Sequence, residues 1–165
     1  MRINKGVEWG AHACALLVPL WPDKGLSLSA LAEFHDLPEP YMAKQMQALA
    51  RAGIVKGGRG RSGFYALARA PNEITLLDVL LAIDGDEPMF HCTEIRQNGP
   101  CGAKPADCKV PCNIAAGFWR AEQAYRKSLA EVGLGSLAGA VAAQLGSKKI
   151  MQASAWVEAN LRSRG

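Results

Sequence analysis

The chain has 165 residues, of which 49% are hydrophobic and 21% charged, and its net charge is +4. This length and balance predict one domain with its own core, or a small domain with an extra arm, and they exclude wholesale disorder. The first apolar stretch, 13–21, is too short to cross a bilayer and contains a proline. The N-terminal residues also lack the order of a signal peptide. We therefore expect a cytoplasmic protein that does not contact a membrane.

The first part of the chain predicts a longer helix and then two short helices joined by a tight turn. Apolar residues recur at helical spacing over 4–18. Ser27 or Ser29 can cap a short helix over 28–34, and a turn with two prolines separates it from a helix over about 39–52. This order is typical of a helix-turn-helix, whose second helix enters the major groove of DNA.

A β-hairpin is expected after the second short helix. The segments 54–56 and 64–67 predict two short strands, and the glycine-rich loop between them carries Arg59 and Arg61. A basic hairpin of this kind is typical of a wing that meets the minor groove or the backbone of DNA. A plain connector is the alternative. A further helix is expected over 75–83.

Positive charge is concentrated in the same region. Between residues 41 and 69 there are six basic side chains and no acidic one, whereas the other 136 residues carry 13 basic and 15 acidic side chains. A local positive field on a mildly acidic body favours phosphate binding, because counterions are released from the polyanion. A solvated basic face is the alternative.

Four of the five cysteines lie in the segment 86–112, which is rich in proline and glycine and shows little periodicity. These cysteines are Cys92, Cys101, Cys108 and Cys112. Cys14 stands alone, and we expect it to be a small buried residue. A secreted mini-protein with such a group would form disulfides, but a cytoplasmic chain with its own core favours a metal or redox site. A structural zinc is a further alternative, although zinc usually prefers two-residue spacings.

Residues 113 to about 132 predict a long amphipathic helix, and the tail from Ser136 carries a weaker helical pattern. A long apolar helix outside a small DNA-binding core most often pairs with its twin. We therefore expect a homodimer, with Trp119 and Trp156 at the dimer face.

The expected fold class is mostly α with a small β-hairpin wing. The chain divides into a winged helix-turn-helix domain (1–85), a cysteine-rich loop (86–112), and a dimerisation helix with a C-terminal tail (113–165). The sequence contains no Ser-His-Asp set, phosphate loop or cofactor fingerprint, so an enzyme is not expected.

Three segments carry a resemblance to a known family. They are YMAKQMQALARAGIV (41–55), RGRSGFYALAR (59–69) and PNEITLLDVLLAIDG (71–85). Together they resemble the winged-helix regulators that include the iron–sulfur cluster regulator IscR and the nitric-oxide sensor NsrR. The resemblance, which runs to about residue 137, implies a homodimeric transcription factor that binds a palindromic operator in double-stranded DNA. It also implies a cluster loop between the wing and the dimerisation helix.

The first helix is similar to that of one redox-sensing branch of this family, through the segment VEWGAH (7–12). In that branch a 2Fe–2S cluster is held across the dimer by two Cys of one chain and a Glu and a His of the other. The resemblance implies that Glu8 and His12 are ligands and that Trp9 relays the redox state. Glu8 and His12 are four residues apart and so share a helical face. A surface ion pair of Glu8 with His12, and plain packing of Trp9, are the alternatives.

The cysteine loop departs from the family pattern of three cysteines spaced by about five residues, so four cysteines compete as ligands. We favour Cys108 and Cys112, because Cys112 stands at the start of the long helix, where a ligand is well anchored. Cys101 is the next candidate and Cys92 the last. An imidazole on one iron raises the reduction potential of a two-iron cluster, which suits one-electron cycling.

The sequence therefore predicts a redox-sensing transcriptional regulator, most simply a repressor, whose operator affinity follows the oxidation state of a 2Fe–2S cluster. The residues expected to contact DNA are Tyr41, Lys44 and Gln45 on the second helix, and Arg59, Arg61 and Ser62 on the wing. The alternative is a thiol-oxidation sensor or a zinc-stabilised DNA-binding protein without a cluster.

Overall fold

A computed structural model describes residues 3–57 and 63–163 of the chain. The helices are, in chain order, α1 (Lys5–Leu17), α2 (Leu28–Phe34), α3 (Glu39–Arg51), α4 (Leu76–Asp84), α5 (Asn113–Ala130) and α6 (Leu134–Asn160). The strands are β1 (Lys24–Ser27), β2 (Val55–Gly57), β3 (Phe64–Leu67) and β4 (Leu161–Ser163). The expected fold class, mostly helical with a small hairpin wing, is confirmed. Within the described ranges, no helix is long and apolar enough to cross a membrane.

Helix ends coincide with the capping residues in the sequence. Asn4 caps α1 and Ser27 caps α2, each by accepting a backbone N–H of the first turn. α3 ends just before Gly53, which adopts a left-handed conformation with a φ of 68°. Thr75 and Asp78 form a capping box at the start of α4. The predicted bounds of α2 and α3 are therefore confirmed to within one residue.

The strands form one antiparallel sheet in the order β2-β3-β1-β4. β2 and β3 are the predicted hairpin, whereas the sequence pattern indicated neither β1 nor β4. Leu26 of β1 pairs with Tyr65 of β3 on one side and with Leu161 of β4 on the other. Gly25 is required between these strands, because a Cβ there would overlap the carbonyl oxygen of Tyr65.

The core lies between the first four helices and the sheet. Its largest fully buried side chains include Leu17, Leu26, Leu31, Met42, Met46, Leu49, Ile54, Leu67, Ile74 and Leu134. α1 and α3 approach closely, because Gly6 leaves room for the side chain of Gln45. Cys14 is completely buried, and burial raises the pKa of its thiol to about 12. The expectation that Cys14 is a small buried residue is confirmed.

The C-terminal tail packs back onto the first helices. α6 is interrupted at Gly146, whose φ of 75° and ψ of 155° are not helical. Beyond this break Trp156 packs on Phe34 of α2, with ring centroids 5.1 Å apart, and Val157 is buried. The interrupted helix thus brings the ring of Trp156 against the core of its own chain, and the expectation that Trp156 lies at a dimer face stays a prediction.

Candidate DNA-binding surface and cluster site

One face of α3 is exposed and basic. Lys44, Gln47 and Arg51 are exposed and follow one another at intervals of three and four residues, so they share this face. Tyr41, near the start of α3, has 57% of its surface exposed. Two short helices with an exposed basic face on the second are what a helix-turn-helix presents to the major groove.

Gln45 does not share this face, so the expectation that it reads a base edge is contradicted. Its exposed fraction is 5%, it fills the space left by Gly6, and its Nε2 donates a hydrogen bond to the carbonyl oxygen of Tyr41 at 3.3 Å. The reason is helical spacing: Gln45 lies four residues before the buried Leu49, on the apolar side of α3. The same spacing could have identified Gln47 as the exposed amide of the helix.

Arg59, Arg61 and Ser62 lie outside the described residues, so their position at the tip of the wing stays a prediction. The base of the wing is described. Lys56 of β2 donates a hydrogen bond to the carbonyl oxygen of Pro22 at 3.1 Å. The hairpin is therefore fixed to the turn that precedes β1.

Glu8 and His12 are both exposed on one face of α1, as expected from their spacing. Together with Trp9, His35 and Leu37 they line a shallow pocket. His35, the C-cap residue of α2, was not among the residues that sequence reasoning identified. A carboxylate and two imidazoles thus surround one small region of the surface.

His35 is the unusual member of this pocket. Its Nε2 is buried and has no hydrogen-bond partner among the residues that the structure describes, and its ring centroid lies 5.8 Å from that of His12. Burial, and then the charge of His12, lower the pKa of His35. Buried polar atoms usually have a partner, so this nitrogen fits a pocket that a further group completes.

The thiol of Cys112 lies at the start of the long helix, because Cys112 is the N-cap residue of α5. The nearby backbone N–H groups of Ala115 and Ile114 lower the pKa of the Cys112 thiol. The positive end of a helix favours an anion for the same reason. Cys112 therefore stands at the start of α5, as expected, and its role as a cluster ligand stays a prediction.

The other loop cysteines differ in their surroundings. Cys108 is half-buried and Cys101 is exposed. The sulfur of Cys92 lies 3.8 Å from Oε1 of Glu94, so a thiolate at Cys92 would face a carboxylate. Among the residues that the structure describes, no three His, Cys, Asp or Glu side chains converge as ligands of one metal ion.

The start of the cysteine loop is fixed to α5 by a buried carboxylate. Glu122 is 7% exposed, and its Oε2 accepts the backbone N–H of Met89 at 3.1 Å. Arg126 pairs with Glu122 at 2.9 Å and also with Asp86 at the end of α4. Sequence reasoning missed Glu122, although its position four residues after Phe118 placed a charge on the apolar face of the helix.

The opposite end of this face is exposed and apolar. Ile114 is 69% and Phe118 53% exposed. Phe118 stacks on Phe90 with centroids 4.6 Å apart, and Trp119 donates its indole N–H to the carbonyl oxygen of Phe90 at 3.4 Å. The predicted homodimer stays a prediction, and this exposed apolar surface is one that a second copy could cover.

The helix-turn-helix, the hairpin wing and the long helix after a cysteine loop agree with one known family. A family model described as Rrf2, iron-dependent transcriptional regulator, matches residues 3–140. The chain belongs to the Rrf2 family. It is therefore a helix-turn-helix transcriptional regulator of a DNA-binding family without enzymatic activity, as the sequence indicated.

The Rrf2 chain is similar to several regulators. The protein slr0846 of Synechocystis, which carries the name of an HTH-type transcriptional regulator, is 46% identical over 66 residues, or 39% of this chain and 45% of that protein. This match thus spans less than half of either chain. The solved structure of T. potens IscR has a TM-score of 0.62 and 23% identity, covering 89% of this chain and 93% of that one. CymR, described as the global cysteine regulator of B. subtilis, has a TM-score of 0.63 and 24% identity, covering 84% and 97%. These two structures show the shared winged-helix fold.

Proposed function

We propose that this Rrf2 protein is a cytoplasmic, homodimeric repressor whose affinity for a palindromic DNA operator depends on the oxidation state of a 2Fe–2S cluster. The observation that carries the proposal is the position of Cys112. This residue is the N-cap of α5, and the backbone N–H groups at the start of that helix lower the pKa of its thiol, which favours the thiolate that iron binds. Cys108, four residues earlier on the same arm of the loop, is the second proposed thiolate.

The other two proposed ligands are Glu8 and His12 of the partner chain. Both side chains are exposed on one face of α1, beside the unpartnered Nε2 of His35. A carboxylate and an imidazole would complete a four-ligand set with two thiolates, the number of protein ligands that a two-iron cluster needs. When bound, the cluster would supply a one-electron change of charge between the two chains.

Trp9 is the proposed link from this site to DNA. It lines the pocket with Glu8 and His12, and its ring contacts that of Tyr41 edge-on, with centroids 6.0 Å apart. A change of charge in the pocket that moves Trp9 therefore acts on the first turn of α3. A shift of two decades in operator affinity needs only about 3 kcal/mol.

The proposed docking places α3 in the major groove and the wing on the minor groove or backbone. The residues proposed to contact DNA are Tyr41, Lys44, Gln47, Arg51, Arg59, Arg61 and Ser62. Lys44 and Arg51 would meet phosphates, while Gln47 takes the base-reading role first expected of Gln45. An amide can accept and donate at a base edge, and Gln47 is the exposed amide of this face.

The test uses full-length protein purified without oxygen. Visible absorption and iron content report a cluster, and paramagnetic resonance after one-electron reduction with dithionite reports its ligands. We expect nitrogen coupling in the wild type, its loss in His12→Ala, and a smaller redox dependence of operator binding in that variant. His91→Ala is the matched control, because His91 is exposed in the cysteine loop and outside the proposed ligand set. Unchanged nitrogen coupling in His12→Ala would remove His12 as a ligand.

A thiol-based sensor is the second candidate, and the same Cys112 favours it. A thiol with a lowered pKa at a helix N-terminus is reactive toward oxidants, and CymR shares the fold. This candidate predicts iron-free, colourless protein from anaerobic purification. It also predicts operator binding that responds to peroxide in the wild type but not in Cys112→Ser.

A further inference from the structure

The cysteine loop contains one arginine that joins distant parts of it. Nε of Arg96 donates to Oε2 of Glu94 at 2.7 Å, and Nη2 donates to Oε1 of the same carboxylate at 3.3 Å. Nη2 also donates to the carbonyl oxygen of Val110 at 2.7 Å. The carbonyl oxygen of Arg96 accepts the N–H of Ala103 at 2.9 Å. One residue thus connects the arm that carries Cys92 with the segment between Cys108 and Cys112.

These contacts matter because the loop has little else to order it. Apart from two short turns, Ile95–Gln97 and Pro105–Asp107, it has no regular structure between the described ends of α4 and α5. Glu94 also adopts a left-handed conformation, with a φ of 52° and a ψ of 38°. A non-glycine residue holds that conformation only when its surroundings enforce it, and the two-pronged bond from Arg96 supplies such a constraint.

We propose that Arg96 is a positioning residue for the cluster: with Glu94 it fixes the arm that carries Cys108 and Cys112, and its hydrogen bond to Val110 holds a cation at the segment between these two cysteines. This inference rests on the proposed function, since it concerns the same loop. Val110 lies midway between the two cysteines, so the bond to its carbonyl oxygen fixes the backbone from which both side chains project. The guanidinium is held on its other side by the carboxylate that faces Cys92.

Geometry and charge make different predictions for the two members of this brace, Arg96 and Glu94. Both variants weaken the charged pair of Arg96 with Glu94, and the loss of Arg96 also removes the hydrogen bond to the carbonyl oxygen of Val110, so both should loosen the loop. The charge effects are opposite, because the loss of a cation disfavours the addition of an electron nearby and the loss of an anion favours it. A role limited to holding the loop would move the reduction potential in the same direction in both variants.

The first measurement uses cluster-free, full-length protein and does not depend on the cluster. Hydrogen exchange resolved to peptides covering 98–112 should be at least tenfold faster in Arg96→Gln and in Glu94→Gln than in the wild type. Lys109→Gln is the matched control. It removes a cation from the same loop at an exposed position, leaves the contacts of Arg96 in place, and should exchange at the wild-type rate. Unchanged exchange in Arg96→Gln would overturn the brace.

The second measurement is the midpoint potential of the cluster in a dithionite titration. Arg96→Gln should lower the equilibrium constant for one-electron reduction of the cluster at least tenfold, which is a fall of about 59 mV in the midpoint potential. Glu94→Gln should raise the midpoint potential. Arg96→Lys keeps the charge, so its midpoint potential should lie close to that of the wild type. Hydrogen exchange over 98–112 should nevertheless stay fast in this variant. Shifts of the same sign in Arg96→Gln and Glu94→Gln would overturn the electrostatic role. Absence of a cluster from the wild type would refute the proposed function and leave the exchange result to decide on the brace.

Discussion

Replacing Trp156 tests whether this residue stabilises its own chain or contributes to a dimer face. In the structure its indole packs on Phe34 and belongs to the border of the core. A largely buried tryptophan removes roughly 150 Å² of apolar surface from water, which at about 25 cal/mol per Å² corresponds to about 4 kcal/mol. Because alanine keeps its Cβ and the tail can relax, we expect Trp156→Ala to lower the free energy of unfolding by about 3 kcal/mol.

The assay is urea unfolding at two protein concentrations, combined with a dilution series that measures dimer dissociation. Met151→Ala is the control on the same helix, because Met151 is 65% exposed and its loss should cost less than about 0.5 kcal/mol. We expect Trp156→Ala to destabilise the chain and to leave dimer dissociation unchanged. Normal unfolding combined with weaker dimerisation would refute the packing argument and restore Trp156 to the dimer face.

Three further outcomes follow from the fold and the site. Lys44→Ala should weaken operator binding and reduce the salt slope of the binding constant by about one, which titrations at several salt concentrations check. Gln45→Ala should leave the preference for operator bases unchanged, which titrations on altered operators check. Gly25→Ala should cost about 2 kcal/mol or more in thermal unfolding, because the added methyl group meets the carbonyl oxygen of Tyr65 between two paired strands. The pKa of His35 is lowered in the fold from its ordinary value of 6.5, so the unfolded chain binds the proton more tightly. Stability should therefore fall as the pH drops below about 6.5, and His35→Gln should flatten that fall in a series of urea melts.

The two helices of the helix-turn-helix, α2 and α3, could be predicted because their local sequence signals agree. Ser27, one of the two caps that the sequence offered, begins α2, and Gly53 follows the end of α3, where a left-handed conformation is needed. The prediction for Gln45 was wrong because it considered the amide group and not the position of the residue on the helix. Its amide suggested base recognition, but its place on the apolar stripe with Met46 and Leu49 made it part of the core.

The strands β1 and β4 could not be predicted, because neither has a pattern of its own. Lys24–Ser27 contains a glycine and Leu161–Ser163 is only three residues long. β1 is a strand because it pairs with both β3 and β4, and β4 is a strand because it pairs with β1. The contacts of Arg96 and His35 were hidden for a related reason, since they join segments whose relative positions no local signal encodes.

The pairing of β4 with β1 sets a condition on the synthesis of this protein. Residues 161–163 are made after every other described element, yet they complete the sheet that begins at Lys24. At about 5–20 residues per second, the ribosome takes roughly 5 to 20 s to proceed from β3 to β4. During that interval the outer edge of β1 is bare and can pair with another chain. A chain truncated after α5 would leave this edge bare permanently, so we expect it to aggregate more readily than the full chain.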